Sequence, residues 1–361
     1  MSNALLQNKA LALIQRGIQS GRLITGENRL RSTREIAEFS GLTPSTVHLA
    51  LKELVRQNVL RSHWGKGYTL PEKADPDDIL YQFVMVSSVF DQVARDDTWF
   101  GQEILRAVYE ACKRYKLSIA HYHPASRKWI ARMLKESAML DGLLMTEPDR
   151  QLEAAAVAAH LPCVRLSTFP PGEPPTPGVP RVGCCRNEAA YLITRHVLEQ
   201  GRRRIALACA PHIEYQRREG FTRAFEEKGW APGPILHVPC DNQQSQIEET
   251  YRVLRARFKQ RAVPFEGILL ATDMMAVGAI RLFKEMGLTL GQDIILAGFD
   301  GNAQAFLHYG PFCTVKTGLA DALLASVGCL VSQLREEALP QPDIHLPPKI
   351  LCHHTCGRPR G

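Results

Sequence analysis

Charged residues placed directly behind apolar runs are the first chemical signal in this 361-residue sequence. Asp273 follows the run GILLAT, Asp300 closes the run IILAGF, and Arg217 comes after IALACAPHIEYQ. A charge in such a place is costly to bury without a partner. Sugar hydroxyls are suitable partners, because a carboxylate accepts two adjacent O–H groups and a guanidinium donates a planar fork. Ser88 and the aromatic residues Phe90, Trp99, Phe100 and Tyr122 lie near the ends of the first two apolar runs, where a ring could cover a sugar face. Core packing is the alternative for each aromatic, and helix N-capping is the alternative for Asp273. Other chemistries lack their patterns. No Gly-x-Gly-x-x-Gly follows a strand, and neither a Walker-type Gly-Lys-Ser/Thr nor a Gly-x-Ser-x-Gly elbow occurs. Cys352-His353-His354-Thr355-Cys356 contains zinc-ligand residue types. Alternation at the end of a final strand explains it about as well, and no partner cluster shows clear spacing. The expectation is therefore no metal and no cofactor. Adjacent Cys184 and Cys185 read as small apolar residues at a strand end.

The elements that must carry these residues alternate from Tyr81 onward. Apolar runs at 83–86, 117–120, 142–145, 162–166, 205–209, 235–238, 267–271 and 294–297 predict strands. Between them, 100–115, 128–138, 150–160, 187–200, 216–228, 244–259 and 274–286 predict amphipathic helices. The Pro-rich stretch from Phe169 to Pro180 predicts a surface loop. Such alternation implies parallel sheets with helices on both faces, and ligands collect at the carboxyl ends of the strands. Roughly 280 residues fit two such sheets better than one.

The first 70 residues differ in character. They hold three Lys and seven Arg against four Glu, a net charge of +6 out of +7 for the whole chain. A basic head on a nearly neutral body is the footprint of a nucleic-acid-binding module. Leu5, Leu11, Ile14 and Ile18 recur at helical spacing, and Gly21 stops that helix. Ser32-Thr33-Arg34-Glu35 predicts a capping box opening a second helix that ends at Gly41. Thr43, followed by Pro44, caps a third. Its apolar stripe of Val47, Ala50, Leu51, Leu54 and Val55 turns Ser45, Thr46, His48 and Lys52 outward. Two short helices around a tight turn form a helix-turn-helix, whose second helix fits a major groove about 12 Å wide. Strands at 59–62 and 68–70 then flank His63-Trp64-Gly65-Lys66-Gly67, a hairpin tip with the form of a wing.

Two family resemblances follow from these residues. Ile18-Gln-Ser-Gly21-Arg-Leu, Leu30-x-Ser32-x-Arg34-Glu35-Ile-Ala, Thr46-Val47-x-x-Ala50-Leu51 and Gly65-x-Gly67 resemble the GntR-type DNA-binding domain. That resemblance implies DNA contacts from Ser32, Arg34, Thr43, Ser45, Thr46, His48, Lys52, Gly65 and Lys66. Arg31 stands where Pro is usual and His48 where Arg is usual, so the operator cannot be carried over. Arg217-x-x-Gly220-Phe221, Ala271-Thr-Asp273-Met-Met-Ala276-x-Gly278-Ala279, Gly298-Phe299-Asp300 and Pro311-x-x-Thr314-Val315 resemble the effector domain of LacI/GalR regulators, which has the fold of periplasmic sugar-binding proteins. That resemblance implies that Arg217, Thr272, Asp273 and Asp300 line an effector cleft. Thr272 replaces the usual Asn, and Cys185-Arg186 replaces a typical Asp-Asn pair. A GntR-type head on such a body resembles arabinose-type repressors in layout.

The expectation is an α/β chain with an N-terminal winged helix-turn-helix over 1–70 and a linker over 71–80. An effector and dimerisation domain covers 81–361, with two Rossmann-like subdomains of periplasmic-binding-protein type, 81–182 with 312–337 and 183–311 with 338–356. Its expected function is a transcription regulator, most simply a repressor, with operator DNA, a small ligand such as a sugar, and a second copy of itself as partners. An enzyme using the same cleft, or a sugar-binding protein without regulatory role, is the alternative; no nucleophile–base pair favours the enzyme. Ten cysteines without framework spacing fit reduced thiols, no apolar run approaches the ~20 residues of a membrane span, and no secretory signal is visible. The expected location is the cytoplasm.

Overall fold

A computed structural model describes residues 10–357, apart from 12, 16, 19–20, 27, 58, 72–80, 89–98, 127, 129, 131–139, 168, 170–173, 241–242, 259–262 and 336–341. Leu5, the linker residues 72–80 and most of the helix expected at 128–138 therefore lie outside the described residues.

In the head, short strands β1 (Ile24–Thr25) and β2 (Arg29–Leu30) precede α1 (Thr33–Ser40). The Ser32 hydroxyl accepts the Glu35 N–H (3.3 Å) while the Glu35 carboxylate accepts the Ser32 N–H (2.8 Å), so the capping box is formed. Gly41, at φ 64°, supplies the left-handed residue that ends α1. Thr43 then caps α2 (Pro44–Arg56) through the Thr46 N–H. Val47, Ala50, Leu51 and Leu54 are buried together with Ile14, Ile18, Leu23 and Ile36. A hairpin of β3 (Arg61–His63) and β4 (Gly67–Thr69) follows, and the four strands form one sheet in the order β1-β2-β4-β3.

The first body sheet contains β5 (Tyr81–Val86), β6 (Leu117–Tyr122), β7 (Gly142–Met145), β8 (Cys163–Ser167) and β9 (Arg181–Gly183), with helices α3 (Trp99–Tyr115) and α4 (Arg150–Ala158). The second subdomain opens with α5 (Arg186–Leu198). It continues through β10 (Ile205–Cys209), α6 (Arg218–Glu226), β11 (Ile235–His237), α7 (Gln243–Arg257), β12 (Gly267–Leu270), α8 (Asp273–Glu285), β13 (Ile295–Asp300), α9 (Ala303–Tyr309) and β14 (Cys313–Lys316). The chain returns with α10 (Leu319–Leu334) and β15 (Asp343–His345) to the first subdomain, and with β16 (Lys349–Leu351) to the second. The strand orders are β6-β5-β7-β8-β9-β15 and β11-β10-β12-β13-β14-β16, parallel throughout except for antiparallel β16. The body is thus an α/β fold of two Rossmann-like subdomains of periplasmic-binding-protein type. Strands buried on both faces must be apolar at every position rather than alternately. This is why Gly267–Leu270 and Ile205–Cys209 are buried throughout.

Two expectations about segments need correction. Residues 313–316 pair with β13 in the second sheet, not the first, and residues 343–345 pair with β9 in the first sheet, not the second. The first-subdomain share of the expected 312–337 segment is α10, whose Leu323, Val327 and Leu330 bury against the first sheet's core. Three crossings join the subdomains, after β9, β14 and β15. The head meets the body where Arg22 donates from Nη1 to the Leu140 carbonyl (2.7 Å) and from Nη2 to the Asp141 carbonyl (2.5 Å).

Candidate functional site

In each sheet the strand order reverses beside its first strand, between β5 and β7 and between β10 and β12. The crevice outside such a switch point is where open α/β sheets hold ligands. Near this end of the second subdomain's sheet stand Arg217, Arg186, Asp300 and Asp273.

Arg217 lies between the 3₁₀ turn Pro211–Gln216 and α6, and only 2% of it is exposed. Its guanidinium carbon sits 3.6 Å from the Phe299 ring centroid, and its Nη2 donates to the Ala271 carbonyl (3.2 Å) at the end of β12. Its Nε is buried and has no hydrogen-bond partner among the described residues. Burial, reinforced by the Arg186 charge and opposed by Asp300, pushes the Arg217 guanidinium down to about 9, so it remains cationic at neutral pH. The cavity beside it, lined by Thr194, Phe221 and Phe299 among others, holds about 10 Å³. That is room for roughly one water molecule, not a sugar, so any larger ligand must lie in the crevice itself.

Asp300 ends β13 with φ 107°, a backbone region that residues with a side chain rarely adopt. Its Oδ1 lies 3.7 Å from Arg186 Nη1, and both side chains keep about a fifth of their surface exposed. Burial pushes the Asp300 carboxyl up, while Arg186 and then Arg217 pull it back. Two guanidiniums thus flank one carboxylate that keeps about a fifth of its surface exposed. Arg186 is the contributor that sequence reasoning passed over as a departure from the usual Asn. Its signal was the charge itself, at the entry to a helix, as Arg217 also stands.

Asp273 has a different role from the one expected. It is fully buried, with Oδ2 accepting the Asn302 N–H (2.6 Å) and Oδ1 the Thr314 hydroxyl (2.6 Å). A Cβ at residue 298 would sit 2.2 Å from Asp273 Oδ1, so glycine there is what admits the carboxylate. Burial first, then the Asp300 charge, raises the Asp273 carboxyl well above its ordinary value, against the pull of those hydrogen bonds. Asp273 positions the loop after β13 and does not face the crevice. It is not the N-cap either. Thr272 caps α8 by accepting the Met275 N–H (3.2 Å), and its hydroxyl donates to Gln246 (2.6 Å). Sequence reasoning missed Asn302, Thr314 and Gln246, whose partners are distant in the chain.

On the first subdomain, Ser88 donates its N–H (3.0 Å) and hydroxyl (2.5 Å) to Glu147 Oε1. Thr146 donates to the Ser87 hydroxyl (2.8 Å), and His121 Nε2 lies 2.8 Å from the Ser87 carbonyl. Tyr122 is half-buried and packs on the core that includes Val84, Ile130 and Met145. Phe90 and the side chains of Trp99 and Phe100 lie outside the described residues. Across the crevice, Gln304 Nε2 at the start of α9 donates to Gln102 Oε1 on α3 (2.7 Å), joining the two lips.

The head offers a second surface. Ser32, Arg34, Thr43, Ser45, His48 and Lys52 are exposed, and Thr46 is half-buried. The Thr43 hydroxyl lies 2.9 Å from that of Ser45 and 2.8 Å from that of Thr46. Gly65 (φ 69°) turns the hairpin tip, Lys66 and Trp64 project from it, and Trp64 is fully exposed. Arg29 Nη2 donates to the Lys66 carbonyl (2.7 Å), which fixes the tip against the sheet.

Among known proteins, residues 194–356 match the family model of the periplasmic binding protein-like domain. An uncharacterized HTH-type transcriptional regulator in the aml 5′ region of Streptomyces limosus is 26% identical over 45% of this chain and 46% of its own length. The ribose operon repressor of Halalkalibacterium halodurans is 26% identical over 71% of this chain and 75% of its own. A regulatory protein of the LacI family from Chloroflexus aggregans superposes with a TM-score of 0.60 at 17% identity, covering 76% of this chain and 98% of that one. The match to the Streptomyces protein spans less than half of that relative. The second half of the chain therefore resembles the periplasmic binding protein-like domain, and its structural likeness to LacI-family regulators lies in the fold.

Proposed function

We propose that this protein is a ligand-responsive DNA-binding transcription regulator, acting as a repressor, whose effector is a small polyhydroxylated molecule such as a sugar. The observation that carries this reading is the juxtaposition of two surfaces in one chain. A basic head presents the outer face of α2 beside an exposed hairpin tip, and a two-subdomain body presents half-exposed Arg186 and Asp300 and a buried Arg217 donor to a crevice. The hairpin after α2 is what supports assigning the head to the winged GntR type. Homologues named as repressors support the regulatory role, and the reading includes action in the cytoplasm as a homodimer on paired half-sites. Ligand closing the crevice would shift one subdomain on the other, and the Arg22 contact with residues 140–141 links the head to that movement. A ligand drives such a shift only through its differential affinity for the two states.

Repeated selection from random duplex DNA tests the head. A recurring two-fold symmetric sequence is expected, bound with an affinity that falls steeply with salt, about −0.9 in log–log slope per phosphate contact. Arg34→Ala should weaken binding to every sequence, and His48→Ala should change the preferred one. No enriched sequence after repeated rounds would end the proposal. Addition of monosaccharides to the complex, with anisotropy as readout, tests the effector class.

A further inference from the structure

A cluster of sulfur and imidazole groups lies at the end of the second sheet remote from the crevice. His196 comes from the last turn of α5, Cys313 from the start of β14, Cys352 from just beyond β16, and Cys356 from the closing 3₁₀ turn His354–Cys356. Their ligand atoms all lie within 4.8 Å of one another. We propose that His196, Cys313, Cys352 and Cys356 form a Cys₃His site for a zinc-type divalent cation, which fastens the end of the chain to the second subdomain.

Three observations carry this site. First, the His196 side chain is buried, and its Nε2 has no hydrogen-bond partner among the described residues. A buried imidazole nitrogen without a partner is costly, a cost that a metal bond removes. Second, the spacing fits a tetrahedron. Zn–S bonds of about 2.3 Å and Zn–N bonds of about 2.0–2.1 Å put ligand atoms roughly 3.5–3.8 Å apart. Cys352 and Cys356, at a Cys-x₃-Cys spacing, already have their sulfurs 3.3 Å apart, and shifts of about 1 Å bring all four into place. Three thiolates with one imidazole select zinc over harder cations such as magnesium or calcium. Third, the sulfurs are already gathered on one backbone segment: the His353 carbonyl accepts from the Cys313 (2.6 Å) and Cys356 (3.1 Å) thiols, protons that metal binding would release. The His353 N–H donates to Cys313 Sγ (2.9 Å), and the Cys313 N–H is held by the Thr355 hydroxyl (2.7 Å). Hydrogen bonds of this kind orient and stabilise metal-bound sulfur. Cys352 is exposed and gives the ion a way in, while Cys313 and Cys356 are buried.

Residues 352–356 taken alone carry zinc-ligand residue types but no partner cluster, because the other two ligands come from distant parts of the chain. Only the pairing of β16 with β14, and the packing of α5 beside them, bring the four together. β14 runs from Cys313 to Lys316, whose partner is Asp300, so the ion and the crevice occupy opposite ends of that strand. The cation is therefore structural.

The test uses the full chain, expressed without a polyhistidine tag and kept reduced. About one zinc per chain is expected by mass spectrometry. Replacement by cobalt should give the intense visible bands of tetrahedral thiolate ligation. Cys352→Ser, at an exposed position, should fold normally but retain at least about tenfold less zinc. Cys240→Ser, outside the cluster, should retain all of it. Chelation should lower the melting temperature of the wild type and leave that of Cys352→Ser unchanged. Reduced wild-type protein that takes up neither zinc nor cobalt overturns the site, as does equal uptake by wild type and Cys352→Ser.

Discussion

The carboxyl edges of the two body sheets have the same topology but very different contents. The second sheet's edge is a network of buried charges, with Arg217 over Phe299, Asp300 beside Arg186, and Asp273 locked between Asn302 and Thr314. Among the described residues, the first sheet's edge holds the hydroxyls of Ser87, Ser88 and Thr146 with His121 and the Glu147 carboxylate, to which Ser88 donates two bonds. The difference teaches where rigidity is placed. A buried carboxylate with satisfied partners, as at Asp273, fixes a geometry in advance, whereas half-buried groups such as Ser88 and Glu147 can exchange partners with water or ligand at small cost. Among the described residues, the second sheet's edge is thus the more firmly partnered of the two.

The most forceful way to break this contrast is Asp273→Ala. It orphans a buried hydroxyl and a buried N–H, and should cost about 3 kcal/mol or more. Urea denaturation that moved by less than about 0.5 kcal/mol would show that the edge does not depend on this carboxylate. Next in size is Asp300→Asn, which keeps the shape but removes the charge. It should weaken effector binding by about ten- to a hundredfold, the equivalent of roughly 1.5–3 kcal/mol for a charge-assisted bond, with the fold retained. Titration calorimetry with a ligand found by thermal-shift screening reads this, and an unchanged affinity would remove Asp300 from the site. Glu147→Gln, on the first sheet's edge, should cost less than about tenfold. A larger loss than that of Asp300→Asn would invert the comparison.

Acidity should separate the edges further, with smaller effects. The Asp273 and Asp300 carboxyls are both raised in the folded state, so their contribution to stability is present at low pH and is lost as pH rises through their folded values. Asp343 behaves oppositely. Arg181 grips it with two bonds of 2.7 and 2.5 Å and holds its carboxyl below the ordinary 3.8, so that contribution is lost as pH falls through the lowered value. Mild acidification should therefore weaken effector binding, by protonating Asp300, before it loosens the Arg181–Asp343 tie between β9 and β15. Paired melting and binding curves across that range check the order, and a fold that loosens first would contradict it.

Local chemistry made much of this molecule legible in advance. The capping box at Ser32, the Thr43–Pro44 start of α2, the apolar parallel strands and the charges behind them all depend on neighbours within a few residues. Such signals survive in a linear reading. The short strands β9 and β15 were not legible, because three residues barely exceed one alternation and carry no clear apolar run. Helix α10 gave no amphipathic contrast, since it is apolar on nearly every side and packs against the first sheet as a core element.

The same division holds for the sites. Sequence by itself determined which residue types stand at the strand ends, namely Arg217, Asp273 and Asp300, and that the head is basic with an outward polar face on α2. Tertiary structure alone decided that Asp273 is enclosed while Asp300 stays partly exposed beside Arg186, and that His196 meets three cysteines. The physical reason is that hydrogen bonding and burial depend on distance in space. Pairing β14 with β13 and β16 brings Thr314 to Asp273 and Cys313 to Cys356, separations that no local pattern in the chain records.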